Sequence, residues 1–222
     1  MKEKSEKRNY NYALILFILM LLSYLFNTIN INIYNNATIS IGVVLYSLTF
    51  VISSIMIERN KIKDCKRYLI SSIKYIILFF VLVTIMCQFN SSNELINSIK
   101  NVFTPNMYTI NNYNLYYPDI YKLIVYLIVY YFSHYIFFVT YEVSYENVGY
   151  LISFLLSILI GFILDQMLFT TIYNVPYLIS NKIVLNEFLN ILTSNFIVTL
   201  LSSIILLLFV PIFNRKRISK KK

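Results

Sequence analysis

Apolar residues along this chain gather into six windows, at about Tyr10–Phe26, Ile39–Ile57, Tyr68–Phe89, Ile120–Tyr141, Val148–Tyr173 and Phe188–Phe213. At about 1.5 Å per helical residue, roughly 20 residues cross the hydrocarbon of a bilayer. The pattern predicts an all-α, polytopic membrane protein: one domain over residues 1–222, built as a compact bundle of six transmembrane helices. The polar stretches Asn27–Thr38, Asn90–Asp119 and Asn174–Glu187 fall on one side. In the middle one, Leu95, Ile96, Ile99, Val102 and Phe103 recur at helical spacing, with Ser91 or Ser92 as N-cap and Pro105 as stop. This predicts a short amphipathic helix on the outer surface, either shielding lipid or forming a lid over a ligand site. Met107–Pro118, rich in Tyr and Asn, takes no assignment from its pattern.

Composition agrees. Hydrophobic residues make up 58% of the chain and charged residues 13%, about half the charge of an ordinary soluble domain. A net charge of +9 would suggest nucleic acid in a soluble protein. Here the basic residues stand at the ends of apolar runs: Lys2, Lys4, Lys7 and Arg8; then Arg59, Lys61, Lys63, Lys66 and Arg67; then Arg215, Lys216, Arg217 and Lys220–Lys222. An even number of crossings puts all three groups on one side. The positive-inside rule then places both termini in the cytoplasm of a multi-pass cell-membrane protein. The connection Glu142–Asn147 shares that side and carries no basic residue. No small-x-small cleavage site follows the first apolar run, so it reads as an uncleaved span. Cys65 in a basic loop and Cys87 near the far end of the next span are expected on opposite sides, unbridged and without metal-ligand spacing.

One carboxylate breaks the fifth apolar run. Asp165 would cost about 2.5–3.5 kcal/mol at the centre of a span, which points to a polar ligand or partner. Gly149, Ser153, Ser157, Gly161 and Asp165 lie four residues apart, a ridge of small side chains ending in that carboxylate. Such a ridge lets two helices approach closely, so Asp165 should face the bundle interior. Helix packing with a buried hydrogen bond would produce the same pattern. His134, the single histidine, forms a row with Tyr126 and Tyr130 on the fourth helix, suited to a heterocycle or to plain aromatic packing. Counted from the predicted span ends, Asp165 and His134 differ in depth by roughly 10 Å. They would then reach opposite ends of one bicyclic ligand. On the second helix, Ser40, Ser47, Ser54 and Glu58 share a face with Tyr46 and Phe50 close by, either helix glue or a pocket wall. Lys74 is expected to snorkel toward the basic side.

These residues resemble a family, the VUT-type queuosine precursor transporters, six-span bacterial proteins earlier described as vitamin uptake transporters. Ser40, Gly42, Tyr46, Thr49, Phe50 and Glu58 match the family's second-span pattern in order, followed by the basic stretch Arg59–Arg67. Ser157, Gly161, Asp165 and Phe169 match its fifth span. Ser133 corresponds to the Ser of a Ser-Gln pair in the fourth, and Val102-Phe103-Thr104-Pro105 is similar to the outer connection. The chain departs from the pattern where Ser54 replaces an Asp, His134 a Gln and Phe162 a Gln, and where no Arg follows Pro105.

The resemblance implies uptake of a small heterocycle, a 7-deazaguanine-type queuosine precursor first, with another vitamin-like solute left open by the departures. The implied binding residues are Tyr46, Phe50, Ser54, Glu58, Tyr130, His134, Asp165 and Phe169. Gly149, Ser153, Ser157 and Gly161 are expected to pack helices. Kinship with substrate-binding subunits of energy-coupling-factor transporters raises an energising membrane subunit as a partner. The chain holds no phosphate-binding Gly-x-x-x-x-Gly-Lys segment and only three glycines, so no ATPase is expected within it. No cofactor, metal or nucleic-acid partner is expected, and no enzymatic activity. The alternative from another class is an accessory or structural membrane subunit, in which Asp165 bonds a neighbouring helix or a partner protein.

Overall fold

A computed structural model describes residues 2–26, 30–34, 37–88, 94–104, 106–110, 113–117, 119–180 and 185–190, with a few positions up to 201. The chain runs α1 (Lys2–Phe26), β1 (Asn30–Tyr34), β2 (Ala37–Ser40), α2 (Ile41–Arg59), α3 (Ile62–Gln88), α4 (Glu94–Phe103), β3 (Asn106–Ile110) and β4 (Tyr113–Tyr117). A helical run from Ile120 to Ile179 follows, broken at Gly149 into α5 (Ile120–Gly149) and α6 (Ile152–Ile179). Among the described residues, four helices, α2, α3, α5 and α6, are long and apolar enough to cross a membrane, and Tyr12–Phe26 of α1 forms a shorter apolar segment. The predicted sixth span, Phe188–Phe213, lies largely outside the described residues, as do Ser91, Ser92 and Pro105.

Membrane character shows on the surface of α3. Ile77, Leu78, Val81, Leu82, Ile85 and Met86 are all exposed, Leu78 and Met86 by 56% each. A continuous apolar stripe of this size is foreign to a water-facing monomer and natural against acyl chains. The opposite faces build a core from Leu16 and Met20 of α1, Phe50 of α2, Leu69 of α3, Phe137 and Phe138 of α5, and Phe154 and Phe162 of α6.

The connections differ from the sequence expectation in instructive ways. The stretch Asn27–Thr38 contains an antiparallel hairpin, β1 against β2, with a register shift between Asn32 and Tyr34. The unassigned Met107–Pro118 stretch contributes most of a second hairpin, β3 against β4, pairing Asn106 with Tyr117 and Ile110 with Tyr113. Both are short, and the fold is helical in class. Ser40 ends β2 and caps α2, accepting from the Gly42 N–H at 3.2 Å. Of the expected basic loop only Asn60 and Lys61 stay outside a helix; Lys63, Lys66 and Arg67 ride on the first turns of α3. The expected amphipathic helix is present as α4, and its Phe103 is buried among Tyr24, Phe79 and Phe80 at ring separations of 5.3–5.9 Å. That contact ties α4 down on α1 and α3.

The expected connection Glu142–Asn147 is helical, a continuation of α5. Reversal falls instead at Gly149, with φ 75° and ψ 176°, a backbone conformation open essentially to glycine alone. A Cβ placed there meets nothing within 4 Å. Gly149 is therefore the hinge of the α5–α6 hairpin and not the helix-packing residue its spacing suggested. At the other end of α6 the helix passes through Pro176 to Ile179, shortening the expected connection from Asn174. Proline removes the donor that would reach the Ile172 carbonyl, and the Tyr121 hydroxyl of α5 supplies one at 2.5 Å. Arg59 Nη1 to Tyr12 at 3.4 Å, and Tyr141 to Glu58 Oε1 at 3.3 Å, place the basic stretch and the Gly149 reversal at one end of the bundle.

Gly149→Ala isolates backbone strain from packing. Its expected cost is about 1–3 kcal/mol, read as a lower midpoint in denaturant or thermal unfolding of the purified protein; an unchanged midpoint contradicts the hinge assignment.

Candidate functional site

Asp165 points into the bundle and is 4% exposed. Its Oδ1 accepts from the Tyr46 hydroxyl of α2 at 2.7 Å and from the Ser133 hydroxyl of α5 at 3.0 Å. Its Oδ2 accepts from Gln166 Nε2 at 3.1 Å. One carboxylate thus ties three helices together. Hydrogen bonds to a charged group contribute about 1.5–3 kcal/mol each, which offsets part of the cost of burying the carboxyl group.

The approach of α6 to α2 and α5 depends on the small ridge. A Cβ on Gly161 would lie 3.0 Å from Phe50 Cε1, 3.1 Å from Phe137 Cβ and 3.2 Å from the Ser133 carbonyl oxygen. Ser153 and Ser157 are fully buried and return their hydroxyl protons to Gly149 and Ser153 carbonyls at 2.6 Å. They add no polar demand to the contact. Ser153, Ser157 and Gly161 thus lie along one face of α6, the two serines buried and Gly161 close against α2 and α5.

His134 lies in the same layer. Its ring stacks on Phe50 with centroids 4.1 Å apart and planes 19° from parallel. Nδ1 is 3.0 Å from the Tyr130 carbonyl and 3.5 Å from Ser133 Oγ, and Nε2 is 3.0 Å from Thr49 Oγ1. The expected depth difference from Asp165 is not found. The error lay in the span ends: α6 runs on to Ile179, so Asp165 stands fourteen residues before that end, and His134 stands fourteen after Ile120. Ser133 joins the two groups.

Aromatic rings complete the layer. Tyr46 meets Phe50, Tyr126, Tyr130 and His134 at centroid distances of 5.8–6.3 Å. The Tyr130 hydroxyl turns to Ser72 of α3 at 3.2 Å. Phe162, where the resemblance led to a Gln, is fully buried on Phe50 at 5.6 Å. The Tyr126 hydroxyl is buried beside Ser23 of α1.

Tyr46, Phe50, Tyr130, His134 and Asp165 are therefore brought together. Phe169 stands at the edge, its ring against Tyr126 at 6.1 Å and Tyr173 at 5.6 Å. Two expected members are placed elsewhere. Ser54 gives its proton to the Val51 carbonyl of its own helix at 2.7 Å, and Glu58 sits two turns beyond Phe50, against Tyr141. Four-residue spacing kept them on one face of α2 but carried them down the helix away from Asp165. Gln166 and Ser72 carried no sequence signal; a polar residue beside a buried carboxylate was the available hint for Gln166. The cleft of ≈ 310 Å³ lined by Tyr121, Pro176, Tyr177 and Ser180 lies at the Pro176 end of the hairpin.

Tyr46→Phe keeps the ring and removes one carboxylate donor. The expected loss is about 1.5–3 kcal/mol of stability, and Tyr130→Phe, whose hydroxyl bonds neutral Ser72, should lose nearer 1 kcal/mol. Equal effects in chemical denaturation would contradict the carboxylate-centred arrangement.

Compared with protein-family models, curated proteins and solved structures, the chain matches none.

Proposed function

We propose that the chain is a multi-pass membrane transporter, a six-helix bundle with both termini cytoplasmic, that takes up a small flat heterocycle. A 7-deazaguanine-type queuosine precursor is the first candidate cargo, from the residue resemblance in α2, α5 and α6. The observation that carries the reading is the layer around Asp165: a buried acceptor and stacked planar rings. A ring N–H or amino group could take the place of the Tyr46 and Ser133 donors on Oδ1, keeping the carboxyl satisfied while the two hydroxyls turn to acceptors on the cargo. The Phe50–His134 stack offers a surface for a flat molecule. In the described conformation the rings rest on one another, so cargo entry requires α2 or α6 to shift.

A second reading is favoured by a specific observation. Asp165 already has three donors and Gly161 is in close contact with Phe50 and Phe137. An accessory subunit needs only such a lock, with no ligand.

One experiment separates them. Purified full-length protein is screened for thermal stabilisation by purines, 7-deazapurines and vitamins. The transporter reading expects a saturable rise in melting temperature with one of these, weakened at least tenfold in apparent affinity by Asp165→Asn. Affinity unchanged in both Asp165→Asn and Asp165→Ala defeats the site. If no solute stabilises the wild type while Asp165→Ala prevents accumulation, the accessory reading stands.

A further inference from the structure

Three cations share the exposed face of α3. Lys63, Arg67 and Lys74 are all exposed. With Ile70 between them they follow a four-, three-, four-residue spacing, which keeps them on one side of a helix. The stripe continues through Ile77 and Val81, exposed by 46% and 49%. Lys66 leaves it, holding its ammonium over the Tyr135 ring of α5 at 4.2 Å. The positive-inside rule accounts for Lys63 and Arg67 at the end of a span. It does not account for Lys74, about 10 Å deeper along the axis than Arg67. That residue puts a charge on a surface that otherwise suits acyl chains.

The charges on this face do not balance. Arg67 Nη1 lies 3.6 Å from Asp64 Oδ1. Among the described residues, Lys63 and Lys74 meet no carboxylate. Side chains on a helix tilt toward its N-terminus, which in α3 is the basic end. The Lys74 stem therefore leans toward Arg67, and its ammonium rises toward the interface. Ser71, half-buried, follows Arg67 by four residues and precedes Lys74 by three, so it adds a hydroxyl donor between them. Donors thus gather at one level with an apolar stripe running on below. A second copy of the chain cannot supply the missing anion at the depth of Lys74. Its Asp165 is buried, and the other described carboxylates stand at or near helix ends.

We infer that Arg67 and Lys74, with Lys63 above them, form a binding site for an anionic phospholipid on the outer side of α3, in the leaflet at the basic end of the bundle. The lipid phosphate accepts from the Arg67 guanidinium and the Lys74 ammonium. Its acyl chain lies along Ile70, Ile77 and Val81. Charge complementarity selects the lipid class. Phosphatidylglycerol brings net negative charge to the three cations, whereas phosphatidylcholine sets a positive choline beside them. Ser72, on the buried side of the same helix, holds the Tyr130 hydroxyl at 3.2 Å. A lipid seated on α3 therefore steadies the helix that backs the Asp165 layer. The site requires α3 to face lipid and is independent of transport.

Native mass spectrometry tests the site. Full-length protein in a neutral detergent is titrated with phosphatidylglycerol or with phosphatidylcholine of the same acyl chains, and retained lipid is counted. The wild type should retain phosphatidylglycerol in preference. Lys74→Gln and Arg67→Gln should each weaken that preference about fivefold, the ratio expected of one cation beside an anionic headgroup. Lys61→Gln removes the same charge from the preceding connection and should change the preference by less than about twofold. Lys74→Arg should keep it. Lys74→Leu makes the stripe continuously apolar and should lose the preference without lowering the melting temperature in phosphatidylcholine nanodiscs, which separates lipid binding from folding. Equal retention of the two lipids by the wild type overturns the site. An effect of Lys61→Gln as large as that of Lys74→Gln also overturns it, in favour of a diffuse positive field. A dimer that carries no phosphatidylglycerol and is dissociated by Lys74→Gln overturns it in favour of a contact between copies.

Discussion

The bond from the Tyr46 hydroxyl to Asp165 Oδ1, shared with Ser133, is the constraint on which the bundle's interior rests. A carboxylate removed from water must be met by donors, and here the donors come from three helices. Meeting them fixes the rotation of α6, since a turn of that helix in either direction would withdraw Asp165 from Tyr46. With α6 so oriented, Gly161 falls opposite Phe50 and the Ser133 carbonyl, where only a hydrogen fits. Phe50 is then held flat against His134. Polar satisfaction and close packing are two aspects of one alignment.

That alignment also explains the division of labour among hydroxyls. Ser47, Ser54, Ser153 and Ser157 each return a proton to a carbonyl three or four residues back in the same helix, behaving as small, internally satisfied residues. Tyr46 sends its proton across a helix boundary to Asp165, and Ser133, also 3.2 Å from the Tyr130 carbonyl of its own helix, reaches the same carboxyl oxygen. Thr49 belongs to both sets, bonded within α2 and contacted by His134. The difference is one of position rather than residue type. Across helix boundaries the Tyr46 and Ser133 hydroxyls reach Asp165, that of Tyr121 the Ile172 carbonyl and that of Tyr130 the Ser72 hydroxyl.

How much of this was legible in the sequence follows from the range of the interactions. Span positions came through because apolar runs are local, and α2, α3, α5 and α6 lie close to the expected windows. The inward orientation of Asp165 followed from the four-residue ridge and the cost of exposing a charge to lipid. The hairpins β1–β2 and β3–β4 did not come through, because their Asn- and Tyr-rich stretches lack a clean two-residue alternation. Gly149 misled: it continues the ridge in spacing, yet its positive φ ends the helix. Asp165 and His134 were set at different depths for a separate reason: α6 runs past Tyr173 to Ile179, so depth was counted from the wrong outer end. Gln166 stayed hidden because one amide in an apolar run has no register to betray its partner.

The α5–α6 hairpin has a bearing on how such a chain enters a bilayer at all. Ser133 and Gln166, two of the three groups that neutralise the buried carboxylate, belong to the same pair of helices joined at Gly149. A nascent hairpin can partition into lipid as one unit with donors from both halves on its acid, when α6 alone would bring Asp165 with Gln166 as its one donor from this pair. The third donor resides on a helix synthesised earlier and already waiting. Chain order thus matches the order in which the electrostatic debt falls due.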